Sequence, residues 1–346
     1  MKYYDTKSLH AQGLAESNLA REYRFQRLPQ KYKKSVRKEV WELSENSAGV
    51  CISFLSDTKE IIVKWSLKHD IKMNHMTDAG IKGVDLYEKK NDTWHYIGTG
   101  LPNGKENEQT LLKGASKTLR EYCLYLPLYD TVTDLQLGLD DDCTFEEDMN
   151  KPRPIVFYGT SITQGGCASR PGLAHTNIIS RKLDHECINL GFSGNGHLEN
   201  SVGSIMSNID ASLYIIECMY NVNKDMVTSN IIPLIKTIRK NPVAKKTPII
   251  FIEQCIIDIG SIHNEFINSV IEKNDELNKQ VDKAINNGEK DLFIIFSYFL
   301  CICFISSNIL SHSRVSSFST LFGSAGIRLF PEPSFVPSMV FWESPI

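Results

Sequence analysis

No lysine occurs after Lys290 in this 346-residue chain, and residues 292–313 contain no Asp, Glu, Lys or Arg. Twelve serines crowd the last fifty residues instead. No apolar h-region follows Met1-Lys2-Tyr3-Tyr4-Asp5, so no signal peptide is visible and localisation stays open. Paired cysteines are lacking as well. The nine cysteines (51, 123, 143, 167, 187, 218, 255, 301 and 303) are odd in number and scattered through apolar runs. Cys301-Ile302-Cys303 has neither the two-residue gap of a zinc pair nor a companion pair. Buried free thiols are expected, not a metal site or a disulfide scaffold. The net charge of −3 gives no electrostatic match to nucleic acid. No dinucleotide fingerprint or phosphate loop with lysine is present, which disfavours a nucleotide-binding domain. No internal repeat is evident.

What is there is globular: 23% charged and 42% hydrophobic residues, enough chain for two domains of ordinary size. The basic run Lys31–Lys38 and the acidic Asp140-Asp141-Asp142 read as solvated surface. Three consecutive acids cannot all face one calcium ion.

To about residue 150 the pattern is β. Residues 50–54 and 61–67 are short, partly alternating runs, and Leu135, Leu137 and Leu139 alternate with polar or small residues. Turn chemistry at 78–80 and 102–104 separates such runs, which predicts a jelly-roll-like β-sandwich. Lys151-Pro152-Arg153-Pro154 marks a boundary, because proline disfavours helix. Beyond it, strand candidates 154–158, 186–190, 212–217, 247–252 and 291–296 alternate with helix candidates 171–184, 198–208, 224–240 and 264–287. That alternation predicts a parallel sheet with helices on both faces, hence an α/β chain. The expected domains are 1–150, 151–296 and an atypical tail, 297–346.

Three strand candidates end in loops suited to acyl transfer. Ile155-Val156-Phe157-Tyr158-Gly159 is followed by Thr160-Ser161 and a glycine-rich turn. Ile188-Asn189-Leu190-Gly191 leads into Phe192-Ser193-Gly194-Asn195-Gly196, and the run at 213–217 leads to Asn221. A hydroxyl, a flexible backbone N–H and a side-chain amide at neighbouring strand ends supply a nucleophile and oxyanion donors.

These blocks resemble those of the SGNH, or GDSL-type, hydrolases. Gly159-Thr160-Ser161 stands where the family usually has Gly-Asp-Ser, and Gly83-Val84-Asp85-Leu86-Tyr87 fits the GxDLY signature of a bacterial subgroup with an extra N-terminal β domain. The resemblance covers roughly residues 1 to 296. It implies a flavodoxin-like catalytic domain, with Ser161 as nucleophile and Gly194 and Asn221 as oxyanion donors. It implies hydrolysis of a small-molecule or carbohydrate ester, with no cofactor or metal.

One block of the family is missing. The triad is usually closed by Asp-x-x-His after the last strand, and none follows it here. Asp258 with His263 has the wrong spacing, and His312 lacks an acid three residues before it. Losing a triad member costs several orders of magnitude in rate. A catalytically impaired scaffold or binding module is therefore the alternative to an active esterase. For the tail, three readings stay open: a frameshifted 3′ end, a divergent tail and a membrane anchor. The anchor is disfavoured by the serines that interrupt its apolar run.

Lesser candidates complete the set. Tyr122, Tyr125, Tyr129, Trp94 and Trp65 could form a sugar platform, but core aromatics are the expected role. His197 reads as a helix-start histidine, and the position of His175 early in the first helix after Ser161 argues against a catalytic role. Arg170 either binds an anionic group or structures its loop. Glu217 and Glu253 end strands and could line the cleft. The sequence does not give the oligomeric state.

Overall fold

Period-two burial organises the first half of the chain. Along Glu60–Leu67, Ile61, Val63, Trp65 and Leu67 are buried while the residues between them are half-buried, as in a sheet with one wet face. The computed structural model describes residues 1–5, 9–147, 152–256 and 263–296. The expected boundary at 150/151, Asp258, His312, Cys301, Cys303 and the whole 297–346 tail lie outside the described residues.

In chain order the first half comprises β1 (Lys2–Asp5), α1 (Lys38–Ser44), β2 (Cys51–Ser56), β3 (Glu60–Leu67), α2 (Asp78–Lys82), β4 (Val84–Lys90), β5 (Thr93–Gly100), β6 (Glu106–Lys113), β7 (Arg120–Tyr125), β8 (Val132–Leu139) and β9 (Phe145–Glu147). They form two antiparallel sheets, ordered β1-β8-β3-β6 and β5-β4-β7-β2-β9. Strands 1-8-3-6 facing 5-4-7-2 is the jelly-roll arrangement, with β9 added at one edge. Phe54, Val63, Trp65, Leu86 and Leu137 fill the space between the sheets. Trp65 Nε1 is satisfied there by the Lys82 carbonyl at 2.9 Å. Tyr122, Tyr125 and Tyr129 are buried with Trp65, so they are core residues and no exposed platform.

The second half comprises β10 (Ile155–Gly159), α3 (Ser161–Gln164), α4 (His175–Leu183), β11 (Cys187–Gly191), α5 (Asn200–Ser207), β12 (Leu213–Glu217), α6 (Lys224–Arg239), β13 (Ile249–Ile252), α7 (Asn264–Asn286) and β14 (Leu292–Ile295). All five strands are parallel, in the order β11-β10-β12-β13-β14. This is the doubly wound 2-1-3-4-5 order, whose ligands lie at the C-terminal ends of the strands. Every residue of β10 and β11 is buried, as expected for strands covered on both sides. Val156, Tyr158, Tyr214 and Ile216 pack with Val202, Ile231 and Leu277 from α5, α6 and α7. Phe157 faces the other way and meets the ring of His175 on α4.

The helix expected at 171–184 opens as a 3-10 turn, Pro171–Leu173, and becomes α-helical only from His175. Among the described residues no helix is long and apolar enough to cross a membrane. Among the described residues all seven cysteines are free thiols, with Cys51, Cys123, Cys187 and Cys218 buried.

Candidate active site

The strand β10 ends at Gly159, where no side chain fits. A Cβ would lie 2.0 Å from Thr163 Oγ1 and 2.8 Å from the Glu217 carbonyl. The chain turns at once into α3, with Thr160 as N-cap accepting from the Ile162 N–H at 3.3 Å. Ser161 is thus the first helical residue, and not a loop residue ahead of a later helix. The helix lasts one turn and is closed by Gly165 at φ 106°, a left-handed cap suited to glycine. So short a helix has little macrodipole, so discrete donors must carry the electrostatics. Ser161 is half-buried, and its Oγ has no hydrogen bond to any described residue.

Two neighbouring strands bring their loops to the same edge. Gly159 pairs in register with Gly191 and with Glu217. After β11 the Phe192 N–H bonds back to the Gly159 carbonyl at 3.0 Å, and the Asn195 N–H closes a turn on the Phe192 carbonyl at 2.8 Å. Gly194 sits at that turn with φ 69°, and its N–H has no partner among the described residues. Gly196 presses against β10, where a Cβ would stand 2.4 Å from the Gly159 carbonyl. After β12, Asn221 accepts the Gly196 N–H on Oδ1 at 3.3 Å, so its Nδ2 is left to donate elsewhere. The loops carrying Ser161, Gly194 and Asn221 therefore leave three adjacent parallel strands at one edge, the first two linked by a backbone hydrogen bond and the third through the Asn221 side chain.

The acids and histidines nearby are otherwise engaged. Glu217 Oε2 accepts from Thr163 Oγ1 at 2.6 Å and lies 3.9 Å from His175 Nε2. Burial raises the Glu217 carboxyl above its ordinary value and lowers His175 below its own. The ring of His197 is 3.1 Å from the Gly194 carbonyl. Glu253 is buried and accepts from Asn278 at 2.8 Å. His263 stands exposed at the N-cap position of α7, and its side chain makes no capping hydrogen bond.

Asp-x-x-His does occur once in the chain, ahead of the serine block: Asp92-Thr93-Trp94-His95. It occupies the β4–β5 turn and the start of β5, with Asp92 and His95 exposed. Residues at the start of β4 touch the loop that precedes α4, whereas Lys89 near its end pairs with Asp184 just past the C-terminus of α4. That turn therefore lies toward the sheet edge opposite Ser161 and does not supply the triad.

Arg170 structures its loop. Its Nη1 donates to buried Asp85 at 2.9 Å and to the Tyr87 hydroxyl at 2.6 Å, and Asp85 also accepts the Gly172 N–H at 2.8 Å. Asp85 and Tyr87 belong to the Gly83–Tyr87 motif, which thus clasps the segment between Ser161 and α4. Sequence reasoning missed Arg27, because nothing local marks it. Fully buried, it donates to the carbonyls of Asn46, Leu43, Asn189 and Gly191, and Phe192 packs over its guanidinium at 5.0 Å. Burial lowers its pKa to about 9, still well above neutrality. Among the described residues no cluster of His, Cys, Asp and Glu could hold a metal ion.

Residues 152–302 match the GDSL-like lipase/acylhydrolase family, and residues 1–145 match GxDLY, the N-terminus of SGNH-hydrolase-type esterases. Among solved structures, a Bacteroides ovatus protein described as a GDSL-like lipase is 27% identical, with TM-score 0.82 over 94% of this chain and 98% of that one. The salicylyl-acyltransferase SsfX3 of a tetracycline biosynthetic pathway shares the fold at 14% identity and TM-score 0.71, over 94% and 95% of the two chains. An acetyl xylan esterase, Est2A, from the rumen bacterium Butyrivibrio proteoclasticus does so at 13% identity and TM-score 0.52, over 86% and 90%. Among curated proteins, none matches the chain.

Proposed function

We propose, from the premise that the chain belongs to the SGNH/GDSL-type hydrolase family with a GxDLY N-terminal domain, that it is a serine carboxyl-ester hydrolase acting through Ser161. The carrying observation is the set of three adjacent strand ends. Ser161 opens a helix and Asn221 is held by its oxygen, and among the described residues the Gly194 N–H and the Asn221 amide N–H groups have no partner. In this reading Ser161 Oγ attacks the acyl carbonyl, and the hydroxyl proton ends on the departing alcohol oxygen. The N–H groups of Ser161 and Gly194 and the Asn221 amide receive the oxyanion. The alcohol leaves and water then hydrolyses the acyl-enzyme. Short-chain acyl esters borne on carbohydrate are the substrate class we favour. Est2A, which shares the fold, is named as an acetyl xylan esterase, and that makes this class the first to test.

A second reading keeps the scaffold and drops the chemistry. It is favoured by one observation: Ser161 Oγ meets no histidine or carboxylate among the described residues. The test is hydrolysis of p-nitrophenyl acetate by the full chain beside its Ser161→Ala variant. Turnover lost with Ser161→Ala supports the esterase. Equal background rates in both folded proteins support the impaired scaffold.

A further inference from the structure

Arg37 lies in the basic run that the sequence presents as solvated surface. Its neighbours Lys31, Lys33 and Lys34 are exposed, as expected, but Arg37 reaches across to the parallel half. Its Nε pairs with Glu199, and Nη1 is 3.5 Å from Glu39. Nη1 also donates to Asn195 Oδ1 at 2.8 Å, and Nη2 to the Asn195 carbonyl at 3.1 Å. The fork thus grips both oxygens of one asparagine, a geometry that a planar guanidinium provides and an ammonium does not.

Each grip leads to one oxyanion donor. The Asn195 side chain, held by its oxygen, donates Nδ2 to the Ser193 carbonyl at 2.8 Å. In a trans peptide the C=O and the following N–H point in opposite directions. Fixing the Ser193 carbonyl therefore aims the Gly194 N–H away from Asn195. The second grip fixes the Asn195 carbonyl, and so aims the Gly196 N–H, which is bonded to Asn221 Oδ1. That bond decides which end of the Asn221 amide faces the loop and leaves Nδ2 to donate. Hydrogen bonds in series polarise one another, and here the series starts at a cation.

We infer that Arg37 is the positioning residue for both oxyanion donors, the Gly194 N–H through the Asn195 side chain and the Asn221 amide through the Asn195 peptide. The N-terminal part of the chain then completes the oxyanion site from outside the parallel half. The geometry rests on the hydrogen bonds alone; its catalytic purpose rests on the ester-hydrolase reading.

The test uses the full chain labelled with ¹⁵N at glycine and asparagine, as wild type, Arg37→Met, Arg37→Lys and Glu199→Gln. Arg37 is 36% exposed, so its replacement should leave the fold intact. In Arg37→Met, amide exchange at Gly196 should rise about tenfold or more, and the Gly194 N–H and Asn221 Nδ2 resonances should shift. With p-nitrophenyl acetate, kcat should fall on the order of 10- to 100-fold with KM little changed, as for misplaced oxyanion donors. Arg37→Lys should fail to restore either readout, whereas Glu199→Gln, which keeps the grip on Asn195, should leave both near wild type. Unchanged exchange and resonances in Arg37→Met overturn the inference, as does an unchanged kcat in a chain that turns over. If wild type does not hydrolyse the ester at all, the esterase reading fails. The exchange and resonance results then decide the positioning role by themselves.

Discussion

Asp85 holds Arg170 at 2.9 Å from a carboxylate that is wholly buried. The same carboxylate takes the Gly172 N–H and the Thr99 hydroxyl, so one acid organises a segment 85 residues further along the chain. The Gly83–Tyr87 motif is thereby a docking device as much as a strand. Gly172 is part of it, because a Cβ there would stand 2.3 Å from the Tyr87 ring. Removing the acid strands a guanidinium and a backbone N–H. We expect Asp85→Ala to destabilise the protein by about 3 kcal/mol in urea unfolding, and Asp85→Asn by less. An Asp85→Ala variant as stable as wild type would show that the pair holds nothing.

On the ester-hydrolase reading, Asn221→Ala removes a donor aimed at charge that exists only in the transition state. We expect kcat for p-nitrophenyl acetate to drop by about 10²–10³ with KM nearly unchanged. Steady-state kinetics on the folded variant decide it, and retained kcat would remove Asn221 from the oxyanion site.

Gly194 and Gly196 are glycines for different reasons, and alanine separates them. At Gly194 a Cβ meets nothing within 4 Å, but φ is 69°, so Gly194→Ala should cost about 1 kcal/mol through the backbone. At Gly196 the Cβ collides with the backbone of Gly159, and Gly196→Ala should cost about 3 kcal/mol. Equal losses in chemical denaturation would contradict the packing described for this loop.

Glu217 gives a pH signature. Burial raises its carboxyl, so the folded chain favours the protonated form. Its contribution is complete below the ordinary value of 4.5 and is lost as pH rises through the raised folded value. Glu217→Gln keeps an acceptor for Thr163 and removes the titration. The stability advantage of the variant should therefore widen as pH climbs from 4.5 and then level off. A constant difference across that range would show that Glu217 titrates normally.

The parallel half was legible because buried strands read as largely apolar runs and the first three end in glycine- or asparagine-bearing loops. The strand candidates 154–158, 186–190 and 212–217 lie within a residue or so of β10, β11 and β12. The antiparallel half showed its alternation but not its strand order, which depends on pairings such as β3 with β8 across some seventy residues. At the site, residue types and spacing pointed to Ser161, Gly194 and Asn221. The helix beginning on Ser161 itself was hidden, because one turn leaves no periodicity to read. Arg27, Arg37 and the Asp85–Arg170 pair were invisible for a different reason. An arginine in a polar stretch looks solvated until the carbonyls it meets are known, and for Arg27 and Arg37 some of these lie more than 150 positions away.

Arg27 also orders events in time. It leaves the ribosome 162 residues ahead of Asn189, whose carbonyl it will meet in the interior. Until β11 has been synthesised, that guanidinium has to stay hydrated, and the segment around it has no finished place to dock. Closing so long a loop is slow. The segment around Arg27 therefore cannot become native before β11 has been made.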